Sequence, residues 1–571
     1  MRRIYTLILF FHLLLPSHGQ SIVFNNLPPK HEVRAVWLTT IGGIDWPHSY
    51  SQSARSAEKQ RQELRNILDQ LQKLQINTIL LQTRIRGTMI YPSTLEPWDG
   101  CLSGFPGKSP GYDALKFAIE ECHKRGMEIH AWIVTIPVGR WDALGCKTLR
   151  NKYPGLIRKI GAEGYMNPED PRTGNILADI CREITRKYDI DGIHLDYIRY
   201  PETWKIQVSR DKGRNYITQI VKKIHDAVKT EKPWVKMSCS PIGKHDDISR
   251  YWSHGWNART TVCQDAQAWL RNGLMDELFP MMYFRNEQFF PFAIDWKEES
   301  CGKIVVPGLG IYFLDPKEGK WNLKDVTTEM YHLRNIQLGQ AFFRTKFLLD
   351  NHQGISDFTS QDFYRYPALV PPMTWVSSKK PQAPIQAAMN EHDDKLTLSW
   401  KNTAIYEDGS KMDSAYIYNN VYASDTYPVD ISDTRNLIKI RHLGNRISIR
   451  QQANDSPLYF AITAMDKYGN ESLATQSHTP YNSSPTPRLG TARMLKCDGA
   501  RLALPSKENI MDANRVIIES LQGQLIVSKP YKDNIIDISD LKDGIYLVRS
   551  LNKKGISHPL GTFLKKNIKK L

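Results

Sequence analysis

Cysteine is scarce in this chain: eight in 571 residues, none in a CxxC pair and none grouped with histidine at metal-ligand spacing. That excludes a structural zinc site of the usual kind and a dithiol redox motif. Long apolar runs are scarcer. Ile4–Leu15 is too short to span a bilayer, and no later stretch is long enough, so no transmembrane segment is expected. No glycine-rich phosphate loop follows the first strand-like run, which counts against a dinucleotide-binding sheet. No RNA- or DNA-binding motif accompanies the charge, so a nucleic-acid partner is not expected. Nothing in the pattern calls for a metal or a cofactor.

What is present at the amino end reads as an export signal over residues 1–19. Arg2 and Arg3 form the basic start, Ile4–Leu15 the apolar core, and Ser17-His18-Gly19 a small-residue cleavage site. The expected location is therefore outside the cytoplasm: periplasm, cell surface or medium. Net charge is +16, of which Arg2 and Arg3 would leave with the signal. A basic exported protein suits anionic polymers such as cell-wall glycans, although a solvated surface with a Lys-rich tail is the simpler account of the charge. Cys122, Cys181 and Cys239 fall in helices or a strand and read as buried thiols. Cys101, Cys146, Cys263 and Cys301 fall in loops, where an oxidising compartment allows pairing.

From about residue 31 to 350, apolar strand-like runs alternate with amphipathic helices, the pattern of a parallel α/β fold. The runs are Arg34–Thr39, Thr78–Arg84, Glu128–Val134, Gly192–Asp196, Val235–Ser240, Glu277–Tyr283, Ile304–Ile311 and Gln340–Arg344. Eight is the number a closed (β/α)8 barrel needs, so a TIM barrel over residues 30–370 is the expected fold. Between the runs lie stripes such as Leu64, Ile67, Leu68, Leu71 and Leu74.

A Pro-rich stretch (Pro371, Pro372, Pro381, Pro384) ends this pattern. Beyond it helical periodicity gives way to strand alternation at Lys395–Trp400 and Leu458–Met465. The run from Phe460 through Asp466-Lys467-Tyr468-Gly469-Asn470 to Ser472 resembles the late strand and turn of a fibronectin type III domain over 380–482, with Trp400 as its core tryptophan. Phe460 departs from the tyrosine usual there. A β-rich unit over 488–571 carries Leu521-Gln522-Gly523-Gln524 and Ile536–Tyr546, and resembles C-terminal sorting domains of Bacteroidetes exported proteins.

The most informative segment is Asp191–Pro201. In a strand Gly192, His194 and Asp196 share one face and Ile193 and Leu195 the other. Buried polar side chains are costly unless paired or used, and the carboxyl ends of barrel strands are where catalytic groups sit. Asp196 is accordingly the expected central carboxylate, as nucleophile or oxocarbenium stabiliser; a structural Asp bonded to Arg199 or Arg84 is the alternative. A glycosidase also needs a second carboxyl about 5 Å away for retention or roughly 6.5–9.5 Å for inversion. Glu96, in the loop after the second strand, leads for the acid, and Asp45 follows. Asp276 and Asp191 are expected to lie away from the site. The other strand-end residues suited to bind sugar are Trp37, Gln82, Arg84, Trp98, His130, Trp132, His194, Arg199, Tyr200 and Tyr283. Aromatic faces stack on pyranose rings, which makes a polysaccharide the expected partner.

Several ordered pieces resemble the glycosyl-hydrolase-like family GHL10: Arg34-Ala35-Val36-Trp37-Leu38-Thr39, Leu81-Gln82-Thr83-Arg84, Tyr91-Pro92-Ser93 with Leu95-Glu96-Pro97-Trp98, Pro110–Leu115, His123–Gly126 before His130-Ala131-Trp132, and Asp191–Pro201. The resemblance implies a TIM-barrel glycoside hydrolase and, from a characterised member, peptidoglycan glycan strands lacking stem peptides as substrate. Alternatives are another bacterial or host polysaccharide, or a non-catalytic glycan-binding role. The chain departs at Pro280-Met281-Met282-Tyr283, where a Gln often precedes the tyrosine, and at Tyr197, where a second acid is common.

Overall fold

The computed structural model describes residues 28–253, 255–392, 395–450, 458–477, 494–505, 513–520, 524–552 and 557–566. The expected signal at 1–19 and the Gln522-Gly523 turn lie outside the described residues. Among the described residues no helix is long and apolar enough to cross a membrane.

The strands are β1 (Arg34–Leu38), β2 (Thr78–Arg84), β3 (Glu128–Val134), β4 (Gly192–Asp196), β5 (Lys236–Cys239), β6 (Glu277–Leu278), β7 (in two pieces, Ile304–Val305 and Gly308–Leu309) and β8 (Gln340–Phe342). Each pairs in parallel with the next. The first piece of β7 pairs with β6 and the second with β8, while β8 pairs with β1, Gln340 opposite Arg34. The ring is therefore closed. The break in β7 falls at Pro307, which has no N–H to give; its carbonyl still accepts from Ala341 at 3.0 Å. The expected (β/α)8 barrel is what the chain forms.

Alternation sorts the side chains. Ala35, Trp37, Leu80, Trp132, Phe279, Val306 and Ala341 pack together inside the ring. Val36, Leu38, Ile79, Leu81, Ile129, Ile193, Leu195 and Met237 join the layer under the helices. Two glycines make the interior possible: a Cβ on Gly192 would lie 2.6 Å from His130 Nδ1, and one on Gly308 would lie 2.9 Å from the Trp37 ring. Local signals start the helices. Ser53 caps Ala54–Lys73 in a capping box with Ser56, and Asp113 and Asp170 cap Ala114–Lys124 and Pro171–Lys187. After β3 a small antiparallel sheet of Pro137–Arg140, Glu163–Met166 and Ile157–Ile160 stands on the carboxyl face of the barrel. All eight cysteines are free. Cys101 and Cys146 lie in helices rather than loops, and they and Cys263 are buried, so the anticipated pairing does not occur.

Beyond the barrel, Ile385–His392, Lys395–Lys401 and Arg446–Arg450 form one sheet; Leu437–Leu443, Tyr418–Ser424, Tyr459–Met465 and Thr475–Gln476 form another. Leu396, Leu398, Trp400, Val421, Phe460 and Ile462 make the core shared by both sheets. A four-stranded antiparallel sheet of Leu525–Pro530, Ala513–Ser520, Gly544–Asn552 and Ser557–Lys565 follows. Ile517 and Leu551 of that sheet share a core with Tyr422, Tyr427 and Val429 of the sandwich. The Pro-rich stretch is no free spacer: Trp375 donates its indole N–H to Asp276 at 2.8 Å under the barrel.

Candidate active site

Asp196 ends β4, only 7% exposed, with its carboxylate fixed by three donors. Oδ1 accepts from Ser240 Oγ and from the Tyr197 N–H, each at 2.8 Å, and Oδ2 accepts from Trp132 Nε1 at 3.1 Å. Burial pushes this carboxyl above its ordinary value; the Ser240 bond, the Arg199 charge and the two N–H donors pull it back only in part. Tyr197, the next residue, has φ 53°, a left-handed conformation that costs a non-glycine residue about 1–2 kcal/mol. The turn it makes carries the chain on to Arg199, whose guanidinium carbon lies 4.5 Å from the centre of the Tyr197 ring. Arg199 pairs through Nη2 with Glu202 at 2.7 Å, while its buried Nε and Nη1 have no protein partner.

The second carboxylate is not where the sequence suggested. Glu96 is buried and spends both oxygens on Arg84, at 2.7 and 2.8 Å. With both oxygens engaged by a buried guanidinium, Glu96 is held as a structural partner of Arg84 and turned away from the acid's role. Arg84 is likewise committed, its Nη1 bonding the carbonyls of Val134 and Thr135, and does not bind sugar. Asp45 is 2% exposed and ties the end of β1 to the loop after β8: it accepts from Thr39 N at 2.9 Å and Lys346 N at 3.0 Å, and pairs with Arg344. It is a staple rather than an acid.

Depth in the barrel corrects four more assignments. His194 is fully buried, accepting from Trp37 Nε1 at 3.3 Å through Nε2, which leaves Nδ1 to donate to Ser238 Oγ at 3.0 Å. Burial, then the charge of His130, holds its pKa well below the ordinary value, so it is neutral. His130 lies deeper, with Glu128 at 3.4 Å and Glu277 at 3.7 Å. Trp37, 2% exposed, is a core tryptophan packed edge-on against Phe279 and Phe343. Tyr200 is buried in the outer layer, its hydroxyl on Glu169 at 3.3 Å. All four are buried away from the open face of the barrel. Gln82 holds the loop after β1 by accepting from the N–H groups of Thr40 and Ile41 at 3.0 and 2.9 Å. Trp98 packs half-buried against the outer core. Asp276 and Asp191 lie at the amino end, as expected, Asp276 on Lys229 at 2.6 Å and Asp191 on His123 at 2.9 Å.

Tyr283 is the strand-end aromatic that opens outward. Burial, then the charge of Asp196, lifts its phenol well above the ordinary value, so it stays neutral. Its ring also lines a cleft of about 730 Å³ shared with Tyr251, Arg285, Phe313 and Trp321. Ser240 was legible in principle, since it ends the fifth run with inward parity; Glu202, Tyr251 and Trp321 sit in loops that give no periodic signal. At the inward-facing carboxyl ends of the eight strands Asp196 is the sole carboxylate, so any partner acid comes from a loop, and Glu202 is coupled to it through Arg199.

Residues 32–212 and 206–313 match the family described as Glycosyl hydrolase-like 10. Glycosyl hydrolase YngK of Bacillus subtilis is 29% identical over 413 residues, spanning 66% of this chain and 80% of that protein. Glycosyl hydrolase DigH of Escherichia coli is 28% identical over 308 residues, 48% of this chain and 70% of that one. The PgaB glycoside hydrolase domain from Bordetella bronchiseptica aligns with a TM-score of 0.41 at 13% identity, over 58% of this chain and 98% of that domain. The barrel, from residue 32 to residue 313, is thus the part of this chain that matches the Glycosyl hydrolase-like 10 family.

Proposed function

We propose that the protein hydrolyses glycosidic bonds in a polysaccharide, with peptidoglycan glycan strands free of stem peptides as the first-choice substrate. The observation that carries this is Asp196: a buried carboxylate, oriented by Trp132, Ser240 and the Tyr197 N–H, at the mouth of a barrel beside an aromatic cleft. Its place suits stabilisation of positive charge at the anomeric carbon, where fixed donors already set the carboxylate's angle. Tyr283 supplies a neutral hydroxyl on the same wall, and Trp132 is a positioning residue. The relatives' names support the reaction class. The signal-like residues 1–19 support export, and the sandwich and final sheet support fibronectin-like and sorting-type modules that keep the barrel at the envelope.

Release of soluble fragments from amidase-stripped peptidoglycan tests this, comparing wild type with Asp196→Asn. The variant should fold and lose about 10²–10³-fold in rate. Equal release by both proteins would remove Asp196 from the chemistry. Glycan binding without release, on these strands and on other polysaccharides, would establish the binding-protein reading, which the lone strand-end carboxylate favours.

A further inference from the structure

We propose that the cleft beside Asp196 is an extended glycan subsite, holding pyranose units beyond the scissile bond; this rests on the glycan reading above. The cleft begins at Tyr283, whose ring packs 5.4 Å from Phe343 past the carboxyl ends of the strands, the same face that carries Asp196, and runs to the loops after β6 and β7. Its far wall is built rather than incidental. Phe313 lies against Trp321 with centroids 4.7 Å apart at 30°, and Gly319 is bare where a Cβ would come within 2.6 Å of the Phe313 ring. Arg285, paired with Asp325 at 2.7 Å, is held 5.8 Å from the centre of the Trp321 ring. Tyr251 lines the same space, and Trp252 beside it in sequence is 84% exposed. A volume of about 730 Å³ falls within the usual range of ligand sites, about 300–1,000 Å³.

The lining identifies the occupant. Aromatic faces take the C–H face of a sugar ring, while Arg285, Asn286, Glu287 and Gln288 offer hydrogen bonds to its hydroxyl edge. An apolar peptide would leave those polar groups unpaired, and a small anion would leave the rings uncovered. The subsite lies to one side of Asp196, so affinity should grow with chain length.

The test uses the full chain carrying Asp196→Asn, so that binding is read without turnover, with peptide-free peptidoglycan oligosaccharides fractionated by length as the probe. Calorimetry should show affinity rising with length, and adding Trp321→Ala should weaken binding of the long fractions about tenfold. Tyr251→Ala, with circular dichroism on both, covers a failure of the tryptophan variant to fold. Length-independent affinity, or long fractions bound equally well by both Ala variants, overturns the subsite. If wild type releases nothing while length-dependent binding persists and needs Trp321, the hydrolase reading falls and the subsite stands.

Discussion

Replacing Arg441 with Ala should destabilise the barrel, although Arg441 belongs to the sandwich. Its guanidinium reaches the amino end of the barrel, with Nη2 2.5 Å from Asp191 and Nη1 3.0 Å from Glu128. Glu128 in turn holds Lys236 at 2.7 Å, and Asp191 holds His123. Removing one member of a buried ion pair costs about 3–5 kcal/mol, chiefly through the charge left behind. Both carboxylates keep another partner here, so the cost should lie at the lower end, about 3 kcal/mol. Denaturant unfolding of the full chain at pH 7 reads this directly.

The pH dependence gives a second, signed readout. Burial disfavours the charged form of Glu128, but Lys236, then His130 and Arg441, outweigh it and bring the carboxyl down to about 2. Asp191 is likewise pulled well below its ordinary value, by Arg441 and then His123 against burial. A depressed carboxyl stabilises fully above the unfolded pKa, near 4, and that contribution fades as pH falls through the folded value. The Arg441→Ala deficit should therefore be complete at neutral pH and shrink below about pH 4. A deficit under about 1 kcal/mol at pH 7, or a sandwich that melts while the barrel is unaffected, would refute the clamp.

Glu96→Gln should cost about 3–5 kcal/mol, because Arg84 is left buried without its counter-ion; a loss of turnover at unchanged stability would restore Glu96 as the acid. Gly192→Ala should destabilise by about 1–3 kcal/mol in thermal unfolding, since its Cβ meets the His130 ring at 2.6–2.9 Å, and an unperturbed melt would show that the ring can move. Burial lifts Glu277 to about 7, with His130 and Lys236 opposing, and one of its oxygens accepts no hydrogen bond. A raised carboxyl binds more protons folded than unfolded, so stability falls as pH climbs from about 4 to 7. Glu277→Gln should flatten that slope and gain about 1–3 kcal/mol at pH 8; identical pH profiles for the two proteins would exclude the effect.

The barrel was legible because its two signals are local: period-two strands and capped, striped helices. Each of the eight runs contains a strand of the ring, even where Pro307 splits β7, although the sixth is a strand only over Glu277–Leu278. The strand-face part of the Asp191–Pro201 reading held for the same reason, since alternation alone puts Asp196 on the inner face. Pairing is not local. Arg84 looks like a sugar ligand and Glu96 like the acid until they are found bonded to one another, and Asp45 looks like an acid until Arg344, 299 residues on, arrives beside it. Two polar residues that satisfy each other carry the same sequence signature as two that await a substrate.

Depth within the ring is the remaining variable, and strand register fixes it. His130 pairs with Gly192, Trp132 with His194, and Val134 with Asp196, so inward residues of β3 and β4 fall into successive layers. His130 and His194 share parity with Asp196 but sit lower, where Trp37 and Phe279 seal them from solvent. Trp132 lies one layer below Asp196, yet its indole is long enough for the ring N–H to reach Oδ2. A His at position 132 would be too short to span that layer. That explains why a tryptophan read from sequence as a sugar platform serves instead as the hand that sets the carboxylate's angle. A Trp132→Phe protein should keep its fold while losing activity and shifting the acid limb of its pH profile upward, because a donor that favours ionised Asp196 is gone. An unchanged acid limb would mean that the indole only fills space.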